Sequence, residues 1–136
     1  MMRLFTLLLL GTIGFLGGCQ NPQDQADSLK AAERIHSQLT SKEFHSIYRE
    51  SGESLKKSVS ESQFVADMSR LADDVGALKK ATPIAYKSSF DTAAGAKHIL
   101  MFDLECERSR AKENISFVRS KSGQMQVWDL NISPVE

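Results

Sequence analysis

Residues 97–108, KHILMFDLECER, alternate apolar and polar side chains with a period of two. The even positions are His98, Leu100, Phe102, Leu104 and Cys106; the odd ones are Ile99, Met101, Asp103, Glu105 and Glu107. A β-strand sends successive side chains to opposite faces. The even face is therefore predicted to meet a core, and the acidic half of the odd face to meet water. The same period recurs on both sides. Upstream, Ile84, Tyr86, Ser88 and Phe90 alternate after Pro83, and residues 91–95 supply a turn. Downstream, Arg108 to Glu113 reads as a polar loop, and Ile115 and Phe117 alternate. Lys121 to Gly123 then turns, and Met125 to Ile132 closes the sheet, with Trp128, Leu130 and Ile132 on one parity.

Before Pro83 the period is helical. Leu29, Ala32, Ile35, His36 and Leu39 predict a first helix over 27–39. Thr40 and Glu43 fit a capping box that opens a short helix over 41–50, and 53–58 make one further turn. Ser60 and Gln63 repeat the device. Behind them Phe64, Met68, Leu71, Val75 and Leu78 form the stripe of a helix over 61–76. Helices first and strands afterwards predict an α+β fold, with N-terminal helices packed on a curved four-stranded antiparallel sheet.

The amino terminus obeys different rules. Arg3 precedes thirteen uncharged residues, 4–16, the length of a secretory signal core. A membrane-spanning helix needs about 20 apolar residues, so this run is too short for one. It ends in Leu16-Gly17-Gly18-Cys19, which resembles the lipobox of bacterial lipoproteins. The resemblance implies diacylglycerol transfer to the Cys19 thiol, cleavage before it, and acylation of the new amino terminus. Two or more acyl chains suffice for stable anchoring, so the membrane is a partner through the lipid on Cys19. Gln20, where retention at the inner membrane favours Asp, points to the periplasmic face of the outer membrane. The expected organisation is a signal peptide over 1–18, a lipidated cysteine and polar tether over 19–27, and one domain over 28–136.

Composition narrows the function classes. Removing residues 1–18 leaves 118, enough for one domain. Arg3 is the only charge removed, so 16 Lys+Arg face 17 Asp+Glu. That balance lacks the electrostatic footprint of a nucleic-acid partner. With Cys19 lipidated, Cys106 has no intramolecular partner and is expected to be buried.

Chemical motifs are scarce. His36, His45 and His98 lack metal-ligand spacing, so no metal is expected, and they read as half-buried or surface residues. Cys106 and His98 share a strand face but stand about 26 Å apart at roughly 3.3 Å per residue. No glycine loop able to cradle phosphate is present, and no cofactor is expected. Asp103, Glu105 and Glu107 line one face at period two. They read as a solvated strand face, or as the source of a base if one were buried.

The element order resembles the cone of the nuclear-transport-factor-2-like superfamily, and within it small bacterial envelope proteins. The likeness rests on IYRESGESLKKSVSESQFVADMSRL (47–71), VGALKK (75–80) and VWDLNI (127–132). It implies a cavity between sheet and helices. Tyr86, Phe90, Phe102, Phe117 and Trp128 are the aromatic candidates to line it, or else to fill the core. The resemblance also implies a homodimer paired through the sheet. Members include enzymes, binders and scaffolds, so no activity transfers. The expected role is a non-enzymatic binding or interaction module for an envelope protein. The alternatives are a binder of a small apolar ligand, or a small hydrolase or isomerase using a strand carboxylate as base.

Overall fold

A computed structural model describes residues 21–136. The expected signal peptide, with Leu16, Gly17 and Gly18, and the expected lipidation site Cys19 lie outside the described residues. Four helices precede four strands: α1 (Pro22–Thr40), α2 (Phe44–Glu50), α3 (Glu53–Ser58), α4 (Glu61–Val75), β1 (Leu78–Asp91), β2 (Gly95–Cys106), β3 (Arg110–Arg119) and β4 (Met125–Val135). The strands form one open antiparallel sheet in the order β1-β2-β3-β4. The fold is α+β, as the change of period predicts.

The even face of β2 is the floor of the core. Leu100, Phe102 and Leu104 are buried there beside Ala111, Ile115 and Phe117 of β3. Ala31, Ala32 and Ile35 of α1 cover this floor, and the two alanines let the helix backbone approach closely. Phe44 and Ile47 of α2, Leu55 of α3, and Phe64 and Met68 of α4 complete the cluster.

Three boundaries differ from the sequence reading, each for a local reason. Residues 22–27 are helix and not tether. The Asn21 side chain accepts from the Gln23 amide and Pro22 occupies the first turn, a strong start signal. Thr40 stays in α1 and bonds the His36 carbonyl, so it does not cap α2. The chain reverses through Lys42 at φ 56°, with Glu43 N–H donating to the Gln38 carbonyl and Lys42 N–H to that of Leu39. This is a Schellman ending with a lysine where glycine is usual. The third difference concerns β1 and β3, which start at Leu78 and Arg110. Pro83 sits inside β1, and an edge strand tolerates a missing amide donor.

One irregularity changes which residues reach the core. Ser116 pairs with Asp129 but Phe117 pairs with Val127, so Trp128 is the extra residue of a bulge. The parity of β4 flips there. Met125 and Val127 before the bulge belong to the core cluster, and Leu130 and Ile132 after it pack against that cluster half-buried, whereas Trp128 does neither.

Candidate functional site

Helix α1 passes over three side-chain clusters as it crosses the sheet. At its amino end Asp24 and Asp27 hold the Arg119 guanidinium at 2.6 and 2.9 Å. The Arg119 hydrogen bond holds the Asp27 carboxyl below its ordinary range. Asp24 also stands 3.8 Å from His98 Nε2, and His98 Nδ1 lies 2.9 Å from the Tyr86 hydroxyl. Burial, and then the Asp24 charge, push the Tyr86 phenol up. These contacts fasten the start of α1 to β1, β2 and β3. His98 is 3 % exposed, so it is more deeply buried than its sequence position suggests.

In the middle, His36 Nε2 lies 2.6 Å from Glu113 Oε2. The Glu113 side chain is 0 % exposed and that of His36 11 %. The His36 ring also meets Phe102 edge-on, with centroids 4.7 Å apart. Glu113 projects from the core face of β3 between Phe102 and Ile132, its cross-strand partners. Its other oxygen, Oε1, is buried and has no hydrogen-bond partner among the described residues. Glu113, expected in a loop from its polar neighbours, lies in β3, and the pair is not legible from a loop position. The missing signal was parity: Ala111, Glu113, Ile115 and Phe117 alternate in phase, with one carboxylate in an apolar series.

At the carboxyl end of α1 a recess of about 220 Å³ opens between helices and sheet. Leu39, Phe44, Met68, Leu71, Leu104 and Ile132 give it apolar walls. Glu107 and Arg108 border it from the β2–β3 turn, and Arg108 donates to the Asp73 carbonyl. Cys106 also lines it, half-buried rather than fully buried, and burial pushes its thiol up. Raising that value lowers the thiolate fraction, which makes the group a poor nucleophile at neutral pH.

The five aromatic residues chosen from sequence do not converge on one cavity. Phe102 and Phe117 are core. Tyr86 is half-buried against His98, and Trp128 is half-buried outside the core cluster. Phe90 stands 78 % exposed at the end of β1. The recess is built instead mainly from aliphatic side chains, with Phe44 as its one aromatic wall, none of them among those five.

The acidic face of β2 is tied up in cross-strand pairs. Asp103 bonds its register partner Lys112, and Glu105 lies 3.8 Å from Arg110. All four side chains are exposed, so water screens both pairs. Glu107 lies beyond the strand, its amide donating to the Ala77 carbonyl. Among the described residues no group of histidine, cysteine and carboxylates is arranged to hold a metal ion. Nor is any helix there long and apolar enough to cross a membrane. Compared with protein-family models and with curated proteins, the chain matches none.

Proposed function

We propose that this chain is a lipid-anchored bacterial envelope protein acting as a non-enzymatic interaction module. It would seat one apolar side chain of a protein partner in the recess at the carboxyl end of α1. The lipobox at Leu16 to Cys19 supports the anchor, and Gln20 supports the outer membrane as its site. The helices-first order and the strand meander support the likeness to the cone superfamily.

The size of the recess carries the choice of occupant. Pockets that engulf a drug-sized ligand run to about 300–1,000 Å³, whereas an apolar cavity of about 150 Å³ takes one benzene. At about 220 Å³ the recess suits a single ring or branched chain presented by a larger partner. Glu107, Arg108, Lys42 and Asp73 around its mouth offer polar contacts to the partner's backbone.

Photo-crosslinking tests this reading. The full chain, carrying benzoylphenylalanine in place of Leu71, is irradiated in intact cells. A crosslink to another protein is expected, and it should disappear when Ala72→Trp fills the recess. A crosslink that survives the filling, or none at all, removes the recess as the docking point. A reproducible small-molecule adduct in native mass spectrometry would move the small apolar ligand ahead of the protein partner.

A further inference from the structure

We infer that the β1–β2 hairpin tip, with Phe90 at its head, is a second membrane contact that seats the domain on the bilayer with the recess facing away. This rests on the proposed lipidation of Cys19. Three observations converge on it. Cys19 precedes Asn21 by two residues, which at no more than about 3.6 Å each places the anchor within about 7 Å of the helix start. A helix begins at Pro22, three residues after Cys19 in the sequence.

The hairpin tip lies at that same end. Asp24 meets His98, whose strand partner is Ser88, and Phe90 pairs with Ala96 one step nearer the turn. Paired residues on antiparallel strands share a face. Tyr86 with Leu100, Ser88 with His98 and Phe90 with Ala96 therefore all lie on the side that α1 covers. Moving back along α1 from Asp24, and along β2 from His98, leads to one end of the molecule. There Phe90 extends beyond the contacts that fasten α1, at the end of the molecule where α1 begins.

Phe90 is the most exposed of the large apolar side chains among the described residues. A bilayer interface accepts such a side chain from a chain already anchored beside it. The charges at this end limit the depth of the seat. Arg119 is engaged by Asp24 and Asp27, while Asp91 accepts from the Ala93 and Ala94 amides at the turn. A carboxylate fixed next to Phe90 favours the headgroup region over the hydrocarbon. The 19-residue α1 is about 28 Å long at roughly 1.5 Å per residue, and the recess sits at its other end.

The test uses the full lipidated chain in vesicles of phosphatidylethanolamine and phosphatidylglycerol, some carrying lipids brominated near the carbonyls. Trp128→Phe removes the native indole, and Phe90→Trp or Asp74→Trp supplies one at either end of the molecule. The bromolipid should quench the indole at 90 and leave that at 74 unaffected. Equal quenching at both positions, or none at 90, overturns the seat. The mass of the processed chain separates the two claims. An acylated Cys19 without quenching at 90 ends this inference alone, whereas an unacylated chain ends both it and the anchoring reading.

Discussion

Glu113 is the residue whose chemistry departs furthest from its surroundings. The fully buried Glu113 side chain is tolerable because His36 bonds one of its oxygens, while the other has no hydrogen-bond partner among the described residues. Removing one partner of such a pair costs about 3–5 kcal/mol, whereas replacing both with apolar groups of similar volume is often neutral or stabilising. His36→Ala is therefore expected to lower unfolding stability by about that amount. The double variant His36→Phe with Glu113→Leu should regain most or all of the loss. Urea unfolding of the four members of this cycle measures both. A loss below about 1 kcal/mol for His36→Ala would show that water already satisfies the carboxylate.

Among the elements, two junctions hold the helices to the sheet. The first joins α4 to β1 at Gly76, which has φ 80° and ψ −174°, a region that essentially only glycine adopts. A Cβ there would stand 2.7 Å from that of Glu107. The same junction is welded by Arg108 N–H to the Val75 carbonyl and Glu107 N–H to that of Ala77. Gly76→Ala is expected to destabilise by at least about 1–3 kcal/mol in denaturant unfolding, and to loosen the wall of the recess.

The second junction is Arg119 at the start of α1. The folded value for Asp27 lies below its ordinary 3.8, chiefly through the Arg119 hydrogen bond. Its contribution is present above that ordinary value and is lost as pH falls through the lower folded one. Protection of the amides in the first turns of α1, taken as their exchange relative to an unstructured chain at the same pH, should therefore fall below about pH 4. Arg119→Gln should remove that protection at neutral pH and with it most of the acid dependence of the protection. An unchanged profile in that variant would mean that the Asn21 cap alone holds the helix start.

At the scale of the whole molecule, the outer face of the sheet decides self-association. Met101 is 40 % exposed there, and Ile84 is 47 % exposed at the irregularity of β1 between Pro83 and Ala85, near the ion pairs of Asp103 with Lys112 and Glu105 with Arg110. A stable interface usually buries more than about 1,000 Å² around an apolar centre. Two apolar side chains among charges support only weak pairing of a second copy through this face. Sedimentation should show a mass that rises with concentration, and Met101→Lys should hold it at the monomer. A mass independent of concentration in the unaltered chain would remove the sheet as a partner surface.

The class of the fold and the alternation of β2 are legible in the residues alone, because burial on one face imposes a period that a single strand displays. The α4 stripe is legible as far as Val75, although Leu78 falls in β1, and so is the Ser60 cap, since the Gln63 amide donates to that hydroxyl in the folded chain. The start of α1 carries a local signal in Asn21 and Pro22 but no apolar stripe behind it, and its first turns are held by Arg119 from 92 residues away. The parity flip at Trp128 was hidden, because a bulge exists only between two paired strands. Only the tertiary structure brought His36 to Glu113, and only it separated the aromatic residues and left an aliphatic recess at the far end of α1. Periodicity reports which face a side chain occupies. What it meets there depends on elements distant in sequence, and those are positioned only when the whole chain packs.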